Sequence, residues 1–496
     1  MKNVNKILKA VIVIGIALAF LMPGALAFTN TKTRFISRTD SSKKNPLSMN
    51  PGWIEQASGF PEPSRGIGYM HAVDENIVWA AAYDGLNPQG PCQDFTRTTN
   101  GGDLWEADLI SEAPPDGSLA MIFALDENTA WVPVHSGNPQ GIWKTSDGGD
   151  TWVHQDTALY SGSGAFPNIV HFWDENVGWC QGDPVGGYYE MYTTTDGGDT
   201  WVRVPQENIP APLSGEYGTV GYYDVVGDTV WFGTQNAYPL RVFKSTDRGL
   251  HWTVADTPFD AGSYVDVRFK DENNGLAMDK NFEEAVLAET SDGGETWTLI
   301  SQTGMCYAAD FDYIPGTDNM YVSTGVNAND PGYRGVSYSL DGGHSWTDWV
   351  EMSGIQLFAT TWVEGGTGWA GSFNDDEFTG GMYKYEPGAE VPDLEFEFEG
   401  GKGLTVTIKN VGFGDATNVD WSITIEGGLI IIPREDSGTI ATLESGGEEE
   451  VTMSVFGIGL GIITDIPAFT ASAECDEGDS EESTKTGKVF LNRVIL

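Results

Sequence analysis

From residue 51 onward the chain alternates short apolar runs with polar, glycine-bearing turns, and no long stretch keeps the three-to-four-residue spacing of an amphipathic helix. Two turn patterns punctuate the runs. The first is Asp74-Glu75-Asn76-Ile77-Val78-Trp79, repeated from Asp126 and from Asp174 and in weaker form from Gly227, Asp271, Gly316 and Glu364. Each copy precedes an apolar strand and predicts a turn between an innermost and a second strand. The second pattern is Thr145-Ser146-Asp147-Gly148-Gly149-Asp150-Thr151-Trp152. Its acidic or Asn position recurs at Asn100, Asp147, Asp196, Asp247, Asp292 and Asp341, in steps of 47, 49, 51, 45 and 49 residues. A period in that range marks an array of supersecondary units, and short strands at near-even spacing predict a β-propeller.

The residue types explain the second pattern. An Asp at the first turn position accepts hydrogen bonds from backbone N–H groups just ahead of it, and the following glycines supply positive φ. The aromatic positions Trp105, Trp152, Trp201, Trp252, Trp297 and Trp346 open the next strand and can bury a ring against the sheet. Catalytic acids or metal ligands are the competing reading of these aspartates. A catalytic group is not normally repeated once per unit, so turn staples are expected.

The pattern Ser/Thr-x-Asp-x-Gly-x-Thr-Trp resembles the Asp box, or bacterial neuraminidase repeat, of sialidases, sortilin-type receptors, xyloglucan-degrading glycosidases and photosystem II assembly factors. The resemblance spans about residues 50 to 388. It implies a box between the third and outermost strands of each blade, away from the ligand face. Gly178-Trp179 followed by Asp196 to Trp201 is most similar to the photosystem II assembly factor group, which implies a scaffold or binding role. One scaffold hosts many activities, so the likeness speaks to architecture first.

Seven first-type turns stand against six boxes. After the seventh, Gly381 to Tyr385 reads as a third strand, and the chain leaves through Glu386-Pro387-Gly388 without a box. Pro51 to Glu55 reads as an outer strand with no blade before it. A seven-bladed ring over 51–388, closed by Trp53 and its neighbours, accounts for both and removes an exposed edge.

Composition narrows the setting. Lys and Arg number 26 against 72 Asp and Glu, a net charge of −46 that excludes a general nucleic-acid binder. Solvation of an exported protein, or binding of cations such as calcium, fits that balance. Residues 1–27 read as a secretory signal, with Lys2, Lys6 and Lys9 before the apolar Ala10 to Met22 and a small-residue site at Ala25-Leu26-Ala27. Residues 28–50 read as a flexible polar linker. Cys92, Cys180, Cys306 and Cys475 allow three disulfide pairings in an exported protein, and nothing selects one. Cys306 is expected in an apolar strand.

Residues 391–496 change character. Alternating strands at Leu394 to Phe398, Leu404 to Ile408, Val419 to Ile423 and Val451 to Val455 predict an immunoglobulin-like β-sandwich. Thr407 to Gly412 and Ala416 to Val419 resemble adhesion-related (CARDB-like) modules of bacterial and archaeal surface proteins. Asp476 to Glu482 reads as a solvated acidic loop.

Function is expected on the face opposite the boxes, where long loops such as Tyr83 to Phe95, Gln181 to Glu190 and Ser372 to Gly380 protrude. Candidate ligand-binding residues there are Arg65, Asp84, His135, Asp183, Tyr222, Tyr264, Asp266, Asp310, Arg334 and Asp376, with Tyr223 and Tyr307 near the centre. Such a funnel could receive a sugar, a cation or a basic peptide; the alternative is plain solvated loops. A sialidase needs three arginines converging on a carboxylate, and only Arg65, Arg268 and Arg334 could approach a centre. A two-carboxylate glycosidase needs acids about 5 to 10 Å apart. Asp224, Asp266, Asp310 and Asp312 are eligible, but nothing marks a pair. The expectation is an exported, monomeric, non-catalytic protein that binds a glycan or surface protein without a required cofactor; a glycoside hydrolase is the runner-up.

Overall fold

The computed structural model describes residues 52–496 except 89, 260–263, 387–391, 393, 413, 433, 461–464 and 477–479, so the expected signal and linker lie outside the described residues. The chain divides into two units, one ending at Glu386 and one following it. Among the described residues the only helical elements are three short 3-10 turns. No described helix is long and apolar enough to cross a membrane.

In the first unit the alternation of strand and turn folds into successive antiparallel sheets. Pro167–Phe172 pairs with Gly178–Val185, which pairs with Tyr188–Thr194, which pairs in turn with Val202–Arg203. The same succession recurs from each innermost strand. These are Arg65–Ala72, the interrupted Ser118–Leu119 and Phe123–Ala124, Pro167–Phe172, Tyr217–Val226, Tyr264–Phe269, Asp310–Tyr313 and Ala359–Trp362. Each touches the next, and Ala359–Trp362 touches Arg65–Ala72, so the sheets close into a ring. That is a β-propeller.

The two turn patterns meet at one end of each sheet that carries both. Asp126 Oδ1 accepts from the N–H groups of Asn128 and Thr129, both at 2.7 Å. Asp147 Oδ1 accepts from Thr145 Oγ1 at 2.8 Å and from the N–H of Thr151 at 3.0 Å, while its Oδ2 takes the Thr151 hydroxyl at 2.6 Å. The N–H of Gly148 then donates to Asn128 O at 2.9 Å, tying the turns together. Between sheets the second-strand tryptophans are buried: Trp131 stacks on Phe172 of the following sheet at 3.7 Å, as Trp231 does on Phe269. Lys144 lies 5.0 Å from the centre of the Trp131 ring and donates to Gly197 O of that following sheet at 3.1 Å.

Strand Gly52–Ala57 pairs with Thr379–Glu386 at the far end of the unit. Its side chains do what an ordinary outermost strand does. Gln56 Oε1 accepts from Trp105 Nε1 at 2.9 Å, and Gln155 Oε1 accepts from Trp201 Nε1 at 3.0 Å. The Trp53 ring packs on Trp349, Trp362 and Tyr385 with centroids 5.4 to 5.8 Å away.

Some expectations need correcting. Gln181 to Glu190 and Ser372 to Gly380 are not long irregular loops but hairpins, Gly178–Val185 to Tyr188–Thr194 and Gly368–Asp376 to Thr379–Glu386. Gly186 and Gly187, at φ 73° and 96°, allow the first tight reversal. Cys306 is buried but lies outside any strand; Cys92, Cys180 and Cys306 are separate thiols.

The second unit has two sheets. One runs through Leu394–Gly401 and Gly403–Asn410; the other orders Glu435–Leu443, Ala416–Glu426, Ala468–Glu474 and Ser480–Thr486. Leu404, Val406 and Ile408 from the first share one core with Ile423, Ile425 and Phe469 from the second. Ser480 to Glu482, expected in an acidic loop, begin an edge strand, where carboxylates can face water while the backbone pairs.

Candidate functional site

The end of the ring opposite the repeated turns is formed by the first residues of innermost strands and the last residues of second strands. Phe166, Tyr264 and Phe358 stand at or just before the starts of three innermost strands, and Tyr83, His135, Asp183 and Gln235 come from the ends of second strands. With Tyr69, Tyr222 and Asn168 they wall a cavity of about 230 Å³. The aromatic wall is braced from behind: His135 stacks on Phe166 at 4.3 Å, Tyr83 meets Phe358 at 5.6 Å, and Phe282 backs both Tyr264 and Phe358. The polar groups are tied to one another. Asn168 Nδ2 donates to Asp183 Oδ1 at 3.0 Å, and Gln235 Nε2 donates to Gly218 O at 2.7 Å. Burial lowers His135 to about 4, which leaves the ring uncharged at neutral pH.

Beneath this cavity, and sharing Tyr69 with it, lies an axial space walled by charge. Arg268 reaches Asp266 at 2.6 Å, Asp312 at 3.3 Å and Asp310 at 3.4 Å. Lys280 is 3.4 Å from Asp266 and 3.5 Å from Asp310, with the Tyr222 ring centre 3.6 Å from its Nζ. Asp224 accepts from the N–H groups of Phe269 and Val225. Four carboxylates thus surround two cations. Burial raises Asp224 and Asp310, and it pushes Asp312 to about 8 against the pull of Arg268. Burial works to lower Lys280, but Tyr222, Asp310 and Asp266 outweigh it and hold the ammonium charged.

The expected site residues therefore separate. His135, Asp183, Tyr222 and Tyr264 line the cavity. Asp266 and Asp310 face inward to Arg268 and Lys280. Arg65 pairs with Asp84 at 3.2 Å and Asp94 at 3.0 Å, and Asp84 also accepts from the N–H groups of Leu86 and Asn87. Arg334 donates to the carbonyls of Asn327 and Ala328, and Asp376 accepts from the N–H of Phe378; both staple turns. Tyr307 is buried and lines neither space. Arg65, Arg268 and Arg334 are each held by different partners and do not converge. Sequence reasoning missed Tyr69, Tyr83, Phe166, Phe358 and Lys280. An aromatic recurring at the threshold of the innermost strand was the usable signal for Phe166, Tyr264 and Phe358. Among the described residues, no cluster of three or more His, Cys, Asp or Glu is arranged to hold a metal ion.

No family model matches the chain, and no curated protein matches it. Among solved structures it is similar to YCF48 bound to D1 peptide, at 17% identity over 68% of this chain and 96% of that one, with a TM-score of 0.47. YCF48 from Cyanidioschyzon merolae gives 13% identity over 67% and 98%, with a TM-score of 0.47. A mutant Trypanosoma rangeli sialidase displaying trans-sialidase activity gives 9% over 91% and 91%, with a TM-score of 0.41.

Proposed function

We propose that the chain is an exported, monomeric, non-catalytic binding protein at or outside the cell surface. In this reading the ring is a seven-bladed Asp-box propeller, the second unit is an immunoglobulin-like sandwich, and the aromatic cavity receives a glycan or a group on a protein ligand. The carrying observation is the cavity itself: aromatic walls with a few fixed polar groups, set above central acids that are engaged by Arg268 and Lys280. Concave, mostly apolar sites with a few fixed polar groups are the usual form of a binding pocket. A glycan array run beside a panel of chromogenic glycosides tests the reading. Binding without turnover, weakened by Tyr222→Ala or Tyr264→Ala, is expected. Turnover abolished by Asp183→Asn or Asp312→Asn alone would replace it with a hydrolase.

A further inference from the structure

The charge of the cavity lining narrows the ligand class. Among the described residues two carboxylates line it, Asp183, itself buried, and the exposed Asp116, and no Lys or Arg does. His135 is neutral at pH 7. The cations nearest the cavity are already matched. Arg65 lies between Asp84 and Asp94, and Lys280, under Tyr222, faces Asp266 and Asp310. The whole chain carries −46. An anionic sugar or phosphate would enter against this field with nothing to receive its charge. A neutral sugar needs many hydrogen-bond partners, yet the Asn168 and Gln235 amides donate to Asp183 and to Gly218 O. The lining offers aromatic surfaces instead: Tyr69, Tyr83, Tyr222, Tyr264, Phe166 and Phe358. Aromatic surfaces with a carboxylate nearby attract an alkylammonium cation.

Resting on the binding reading above, we propose that this cavity is an aromatic cage for an alkylammonium group, with Asp183 and Asp116 as its counter-charges. The same chemistry occurs in a small quaternary amine and in a lysine side chain of a protein ligand, and a volume of about 230 Å³ accommodates either head group. Tyr222 already has Lys280 3.6 Å from its ring centre, so Tyr264, Tyr83 and Tyr69 are assigned the larger share of the cation contact.

The test compares choline with 3,3-dimethylbutanol, its neutral isostere, by calorimetry on the mature chain at low salt. The peptide arm uses Nα-acetyl-lysine methylamide and its Nε-trimethyl form. A cation at least about tenfold tighter than the isostere is expected, with the ratio shrinking as salt rises. Tyr264→Leu, which keeps apolar bulk, should bring the ratio towards one at an unchanged melting temperature, and Asp183→Asn should do so with some loss of stability because it disturbs the bond from Asn168. Should Asp183→Asn fail to fold, Asp116→Asn at the exposed rim should still lower the ratio. Stronger binding of choline points to a free amine, and of either lysine compound to a protein side chain. Equal affinity for the neutral isostere, or no cation binding, overturns the cage. If glycan binding persists in that case, the binding reading survives alone; turnover of glycosides would remove both.

Discussion

One side-chain oxygen pair gathers the hydrogen bonds of each repeated turn that carries an aspartate. Asp292 takes the hydroxyl of Thr296 at 2.6 Å, its N–H at 2.9 Å and the Thr290 hydroxyl at 2.8 Å, and these bonds lower its pKa to about 2. A depressed acid stabilises the fold above its ordinary value near 4, and that contribution is lost as pH falls through about 2. Asp292→Ala should cost about 1–2 kcal/mol, modest because the group is exposed, and should blunt acid unfolding in urea melts. Asp312, in the axial space, behaves oppositely. Asp312, raised to about 8, holds its proton in the native state while the unfolded chain releases it near 4. Its contribution is complete below that lower value and lost as pH rises through about 8, tempered because the side chain keeps 21% exposure. Asp312→Asn should therefore flatten the loss of stability between pH 5 and pH 8; an unaltered profile would place that titration elsewhere. Arg268→Leu should cost about 3–5 kcal/mol, since it strands several carboxylates together. The turn aspartates were readable in sequence because Asp, Gly and Thr within five residues complete their own hydrogen bonds. The Arg268 network was not, because Asp224, Asp266 and Asp310 reach one point only through neighbouring innermost strands.

Among the elements, the closing strand joins the two ends of the ring. Gly52–Ala57 could be suspected from sequence because it is strand-like yet precedes any complete sheet, and the structure pairs it with Thr379–Glu386. Trp53→Ala should remove three ring contacts and lower the melting temperature by several degrees, and deletion of residues 51–58 should lower it further. An unchanged melting temperature in both would mean the pairing carries no stability. The hairpin at Gly186-Gly187 was less legible. Strands that outgrow the regular repeat look like loop insertions until their cross-strand partners are known.

For the molecule as a whole, composition speaks to solution behaviour and the fold to geometry. A net charge of −46 means that self-repulsion opposes compaction, so the melting temperature should rise as sodium chloride is added from about 0.01 to 0.5 M. A fall over that range would mean that specific ion pairs outweigh the general repulsion. The all-β class was legible because strand runs and turn residues are local signals. The cavity was only partly so: His135, Asp183, Tyr222 and Tyr264 could be placed on the right face, but Tyr69 and Tyr83 look like ordinary strand residues until the ring brings them together.

The pairing of Gly52–Ala57 with Thr379–Glu386 also sets an order of events during synthesis. The first strand of the ring to leave the ribosome must wait, unmatched, until nearly every other strand has been made. A nascent chain halted before Glu386 would hold its sheets in an open arc with a bare edge at either side.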